Sequence, residues 1–272
     1  MARRLYAAKP VSWKGTAELP QMPWQCPCAG LVLVIDLWAG IGGLTLAVMA
    51  LGMRAIVVSA ECDPDLTEAK GRLFPNIIQT TDVANITGKM FKEVMARRSF
   101  TAVLLGGGSP CQGNTSLNLH RKGLDDPRSQ QPVHLKRIRD ELRMLYPATP
   151  VFSFLENVAS SPPPVVSAYT QLVEGAPVEV DAAIWGWTSR RRLFWLSGPA
   201  GGISRPERLQ LPDGFTMQQK QGRLKMAKHD QKTWPSSPRF EMGYEAAFHP
   251  GDVVRGVATP FWPVHQRVCT SS

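Results

Sequence analysis

A cysteine held between a proline and a glutamine, in Gly107-Gly108-Ser109-Pro110-Cys111-Gln112, is suited to nucleophilic chemistry. A structural cysteine usually sits inside an apolar run. The polar, constrained flanks of Cys111 favour a nucleophile instead, provided that positive charge or a helix N-terminus supports the thiolate. Glu156-Asn157-Val158 offers a carboxyl that could donate a proton if burial raises its pKa. Arg190-Arg191-Arg192 precedes an apolar run, and strand alternation would turn Arg190 and Arg192 to one face. There they could meet a phosphate or a ring oxygen; a solvated charge run is the plain alternative. Asp36-Leu37-Trp38-Ala39-Gly40-Ile41-Gly42-Gly43 is a glycine turn that lets a ligand approach the backbone. Its spacing is not that of a dinucleotide site. Glu61 is suited to accept from a ribose diol. Together they point to a nucleoside-containing cofactor that need not carry a phosphate.

These residues need a frame that gathers them. Continuous β-prone runs at 31–35, 55–60, 102–105 and 151–155 read as strands buried on both faces. Helical segments are expected at 44–51 and 67–74, and a further strand at 193–196. Alternating strands and helices imply a parallel sheet with helices on both faces. Asp36, Glu61, Cys111 and Glu156 then fall at or just beyond the C-terminal ends of four strands, the edge where open α/β sheets bind ligands.

Length and charge set the outer limits. The chain has 272 residues, 43% of them hydrophobic and 19% charged, enough for a sizeable core in one domain with a small appendage. Lys and Arg number 31 against 22 Asp and Glu, a net +9 that suits a polyanionic partner, nucleic acid first. Five irregularly spaced cysteines argue against a secreted disulfide framework and for a reduced, intracellular setting. Cys26-Pro27-Cys28 has no second pair nearby to complete a zinc site. The uncharged stretch 37–53 is broken by four glycines, so a strand, turn and helix explain it better than a membrane span. The N-terminus lacks the apolar core of a secretory signal, and a short organellar targeting segment stays open.

Taken in order, these motifs resemble the cytosine-5 DNA methyltransferases. The resemblance implies a Rossmann-like, S-adenosylmethionine-dependent methyltransferase fold, α/β with a mostly parallel sheet, plus a small irregular basic C-terminal region. It implies an S-adenosyl-L-methionine site made by Asp36, Leu37, Ala39, Gly40 and Gly42, with Glu61 and Cys62 at the ribose, Asp82 and Val83 at the adenine, and Pro110 alongside. It further implies catalysis by Cys111, Glu156, Asn157, Arg190 and Arg192, and no metal. The thiolate of Cys111 would add to C6 of a flipped cytosine and activate C5 for methylation. DNA is the implied partner, and the nucleus the implied location in a eukaryote. Asn118, Arg121-Lys122-Gly123-Leu124 and Arg190-Arg191-Arg192-Leu193-Phe194-Trp195 are closest to the de novo, animal-type branch. Residues 222–234 faintly resemble the start of that branch's target-recognition region.

The expected organisation is an irregular lead-in at 1–30, a catalytic methyltransferase domain at 31–198, and a partial target-recognition region or tail at 199–272. Departures from the family pattern are an extra glycine in Gly106-Gly107-Gly108, Thr101-Ala102-Val103 where an acidic residue is usual, and Pro162-Pro163-Pro164 in a shortened segment. The last two family motifs have no evident counterpart, so a partner protein or longer chain is expected to complete the fold. Two other functions stay open: a catalytically weak or inactive DNA-binding or regulatory homologue, and a tRNA cytosine-5 methyltransferase.

Overall fold

The structure, a computed structural model, describes residues 9–12, 14, 30–184, 189–199, 201–202, 215–220 and 223–228. Among the described residues ten strands form one sheet: β1 (Leu31–Asp36), β2 (Ala55–Ala60), β3 (Ile78–Thr80), β4 (Phe100–Gly108), β5 (Val151–Val158), β6 (Val178–Asp181), β7 (Arg191–Gly198), β8 (Gly201–Gly202), β9 (Phe215–Lys220) and β10 (Arg223–Lys228). The helices are α1 (Gly43–Ala50), α2 (Pro64–Leu73), α3 (Lys92–Arg97), α4 (Pro127–Gln130), α5 (Val133–Leu145) and α6 (Pro163–Val173). The strand order is β3-β2-β1-β4-β5-β7-β6-β10-β9, with β8 paired to β7. Strands β1 to β5 are mutually parallel, and β7 runs antiparallel between β5 and β6. This is the α/β, Rossmann-like, mostly parallel architecture expected from the sequence.

The apolar strand runs follow from burial on both faces. On one face Leu33, Ile35, Val103, Leu105, Leu155 and Trp195 pack under helices α5 and α6. On the other, Val32, Val34, Ala55 and Val57 pack against Val48 of α1. Trp195 meets Tyr169 edge to face at 5.5 Å and donates its indole N–H to Thr170 Oγ1. No helix among the described residues is long and apolar enough to cross a membrane.

Several boundaries differ from the sequence expectation, each for a physical reason. The glycines 106–108 belong to β4 instead of a following loop, because they pair in register with Phe154, Leu155 and Glu156. Helix α2 starts at Pro64, with Asp63 accepting from the N–H groups of Asp65 and Leu66, an N-cap followed by proline at the first helical position. The proline run becomes the entry to α6, where Pro163 leads the helix. The sheet also continues beyond residue 198: β10 lies parallel to β6 and antiparallel to β9. Buried Glu179 on β6 fixes that join, with Arg191 at 2.7 Å, Lys225 at 3.3 Å and Arg223 at 3.4 Å. Burial alone would push the Glu179 carboxyl up, but hydrogen bonds from Arg191 and Lys225 hold it below its ordinary range.

Candidate active site

The strand order reverses between β1, which leads outward through β2 and β3, and β4, which leads the other way through β5. That reversal opens a crevice at the C-terminal strand edge. Asp36 is the last residue of β1 and Glu61 directly follows β2. Cys111 lies three residues beyond β4, and Glu156 sits within β5, two residues before its end.

The glycine turn is docked by backbone hydrogen bonds. Leu37 donates to Gly106 O at 2.8 Å and Ala39 to Ala60 O at 2.9 Å, so the turn bridges β4 and β2. A Cβ on Gly107 would lie 1.9 Å from Leu37 O, which explains why glycine is needed where β4 passes the turn. Trp38, Gly40 and Gly42 all have positive φ, and α1 begins at Gly43. A Cβ at Gly40 would meet nothing within 4 Å, so backbone there borders open space. The Glu61 carboxylate accepts from Gly40 N at 2.7 Å and from Asp63 N at 2.9 Å. A carboxylate has about four lone-pair positions, so each oxygen of Glu61 keeps capacity for a ribose hydroxyl. These features fit an S-adenosylmethionine nucleoside. Burial pushes the Asp36 carboxyl up to about 7, against the opposing charge of Lys70 and a hydrogen bond from Thr45.

Among the other expected cofactor residues, Leu37 and Pro110 are buried, and Ala39 and Cys62 are half-buried. Asp82 caps a short 3-10 turn after β3 by accepting from Ala84 N at 2.8 Å, with Val83 buried next to it. Asp82 and Val83 stand at the end of β3, the strand beyond β2.

The second cluster surrounds Cys111. Arg192 Nε lies 2.6 Å from Glu156 Oε1. A Cβ on Gly108 would fall 2.5 Å from Glu156 Oε2, so the third glycine of β4 leaves room for that carboxyl. Burial pushes the Cys111 thiol up, Arg192 and Arg190 pull it down, and Glu156 pushes it up. Burial likewise raises Glu156, opposed by Arg192 and Arg190. Cys111, Glu156, Arg190 and Arg192 therefore feel one another's charge. Arg190 is exposed, and its backbone N–H donates to Asp181 Oδ1 at 2.8 Å. Arg191 faces away from them and pairs with Glu179.

Asn157 faces the opposite side of β5 from Glu156 and is fully buried. Its amide donates to Ser109 Oγ at 2.9 Å and to Ser109 O at 3.2 Å, holding the residues just before Cys111. Asn157 Oδ1 accepts from Asn114, which also donates to Tyr169 OH at 3.2 Å and accepts from Ser129 Oγ at 2.7 Å. Sequence reasoning missed Asn114, Ser129 and Tyr169. Asn114, three residues after Cys111, was the one signal available. Beyond it the loop folds on itself: Asn118 donates to Gln112 O, and Arg121 to Asn114 O and Ser160 O. Its tip carries Leu117 and Leu119, 86% and 91% exposed.

Cys26, Cys28, Cys269, most of the 1–30 lead-in and most of 199–272, including residues 229–234 of the faint recognition similarity, lie outside the described residues.

Residues 32–160 match the C-5 cytosine-specific DNA methylase family. That span includes β1 to β5, the glycine turn, Glu61, Cys111 and Glu156, while Arg190 and Arg192 follow it. Solved structures similar to this chain include a prophage-encoded methyltransferase from E. coli, at 25% identity and TM-score 0.48 over 67% of this chain and 49% of that one. Another is the Entamoeba histolytica methyltransferase EhMeth, at 18% identity and TM-score 0.49 over 67% and 56% of the two chains. The S. pombe Dnmt2 methyltransferase matches at 18% identity and TM-score 0.43, covering 62% of this chain and 49% of that chain. The chain spans about half the length of these structures. The match to the C-5 cytosine-specific DNA methylase family over 32–160 falls on residues that build the crevice and carry its cysteine.

Proposed function

We propose that this chain transfers a methyl group to C5 of cytosine in DNA, with Cys111 as the nucleophile. The observation that carries the reading is the shared electrostatics of Cys111, Glu156 and Arg192 beside a glycine turn fitted to a nucleoside. Asp36, Leu37, Ala39, Gly40, Gly42, Glu61, Cys62, Asp82, Val83 and Pro110 line the proposed S-adenosylmethionine site, and that cofactor supplies the methyl group.

Cytosine C5 is a weak nucleophile. Addition of the Cys111 thiolate to C6 forms an S–C6 bond and moves electron density to C5. Glu156, whose carboxyl burial pushes above its ordinary range, holds N3 and draws charge from the ring. Arg192 orients that carboxyl and favours the thiolate. Once C5 is methylated, loss of its proton to water or a base breaks the S–C6 bond and frees Cys111. Asn157 acts through Ser109 to position the loop that presents the thiol.

A base in a duplex is out of reach, so the target must flip. Leu117 and Leu119, exposed at the tip of the Cys111 loop beside His120, Arg121 and Lys122, suit insertion into the opened stack with phosphate contacts alongside. Asn118 and Arg121 to Leu124 favour the de novo, animal-type branch. A second reading, a DNA-binding homologue with slow turnover, draws on one observation: burial lifts the Cys111 thiol above its ordinary range.

Transfer of labelled methyl groups from S-adenosylmethionine to duplex DNA and to tRNA tests the reading. Label in the C5 of DNA cytosine supports it. Label in tRNA alone, or DNA binding without label, replaces it with one of the alternatives.

A further inference from the structure

Lys70 has no role in the account so far. It projects from α2 beneath the glycine turn, and a Cβ on Gly42 would lie 3.4 Å from its Cδ. The side chain is 0% exposed, and its Nζ finds no hydrogen-bond partner among the described residues. A buried ammonium without direct bonds is costly unless opposite charge faces it. Burial pulls the Lys70 ammonium below its ordinary range, and two carboxyls oppose that: Asp36 from the end of β1 and Glu61 from the end of β2. Thr45 of α1 completes the surroundings through its hydrogen bond to Asp36 Oδ2 at 3.3 Å. The Lys70 charge therefore lies behind the same two carboxyls that border the nucleoside crevice.

We propose that Lys70 is a positioning residue of the nucleoside site, its buried side chain biasing Asp36 toward the carboxylate behind the glycine turn so that the site receives a cationic nucleoside. The inference rests on reading the crevice as the S-adenosylmethionine site, since that cofactor carries a sulfonium and an ammonium. Without Lys70, Asp36 would share its dry surroundings with Glu61 alone and would hold its proton to higher pH. The rival role for Lys70 is packing of its stem beside Gly42. Lys70→Met keeps that stem and removes the charge.

The experiment has two arms. In the ligand-free protein, infrared difference spectroscopy follows the protonated carboxyl band of Asp36, assigned with Asp36→Asn. The band should disappear near pH 7 in the wild type and persist to higher pH in Lys70→Met. An unchanged titration overturns the proposal. In the second arm, calorimetry measures S-adenosylmethionine affinity from pH 6 to 9. Wild-type affinity should rise through the Asp36 titration, and Lys70→Met should be about tenfold weaker at pH 6 for each pH unit by which that rise is displaced. Equal weakening at every pH means packing only and overturns the proposal. Should wild type bind no S-adenosylmethionine while the first arm gives the displaced titration, the functional reading fails and the charge relationship stands. If Lys70→Met folds poorly, the double variant Asp36→Asn/Lys70→Met decides: it should melt higher than Lys70→Met, and a melting point no higher overturns the proposal.

Discussion

The guanidinium of Arg192 reaches across from β7 to Glu156 on β5, with Nε 2.6 Å from Oε1. The two residues come from antiparallel strands, and Arg192 stands directly opposite Val158, two residues beyond Glu156. The pair is partly solvated, with 18% and 22% of the two side chains exposed. It is better read as a device that orients a carboxyl than as a source of stability.

Arg192 also opposes burial at Cys111, so its loss should be visible in the thiol itself. A thiol reacts as its thiolate, and burial already holds Cys111 above the ordinary cysteine range. Arg192→Met should move the titration further up and slow alkylation of Cys111 at neutral pH, about tenfold for a one-unit displacement. Iodoacetamide labelling across pH, followed on the Cys111 peptide by mass spectrometry, checks this. An unchanged pH profile would mean that Arg192 does not act on the thiol.

Glu61→Ala should weaken S-adenosylmethionine binding by roughly 1.5–3 kcal/mol, the usual contribution of hydrogen bonds to a charged group. DNA affinity should stay close to that of the wild type. Part of the loss comes from the Gly40 and Asp63 N–H groups, which lose their acceptor. Calorimetry with each ligand separates the two effects.

Asn114 is fully buried and ties the Cys111 loop to Asn157, Ser129 and Tyr169. Asn114→Ala leaves buried partners unsatisfied and should cost about 1–3 kcal/mol of stability. Urea denaturation measures that loss. Cys111 alkylation should also become faster as the loop loosens, which a purely global destabilisation would not produce well below the unfolding midpoint.

Leu117→Ala together with Leu119→Ala should weaken binding to duplex DNA and leave S-adenosylmethionine binding unchanged. Fully burying a leucine contributes about 1.5–3 kcal/mol, so the pair should cost at least tenfold in affinity. Both residues are exposed, so the melting temperature should barely move. Fluorescence anisotropy with duplexes containing a mismatched target base adds a check: the defect should shrink where the base is already unpaired.

Much of this arrangement was legible in the sequence because buried parallel strands leave unbroken apolar runs. The runs at 31–35 and 55–60 became β1 and β2 almost unchanged. The four strand-end residues followed once the strands were placed. Gly106 to Gly108 read as a loop because glycine signals turns, whereas here it admits Leu37 O and the Glu156 carboxyl against a continuing strand. Asn114, Ser129 and Tyr169 are separated by up to 55 residues, and no local pattern joins them. Lys70 stands within a polar helix segment, where a lysine reads as a solvated side chain. Its burial, with the stem beside Gly42, emerges only in the folded chain.

The central claim is that Cys111 bonds to C6 of cytosine, and its most direct test is a trapped adduct. A duplex carrying 5-fluorocytosine has no C5 proton to lose, so the S–C6 bond formed during methyl transfer cannot break. The protein is incubated with that duplex and S-adenosylmethionine, denatured, digested and mapped by mass spectrometry. The account predicts a covalent nucleotide on the peptide containing Cys111, absent from Cys111→Ser and from reactions lacking the cofactor. A nucleotide attached at Cys62, or methyl transfer to normal DNA by Cys111→Ser at more than about a tenth of the wild-type rate, a barrier change of only ~1.4 kcal/mol, would contradict it.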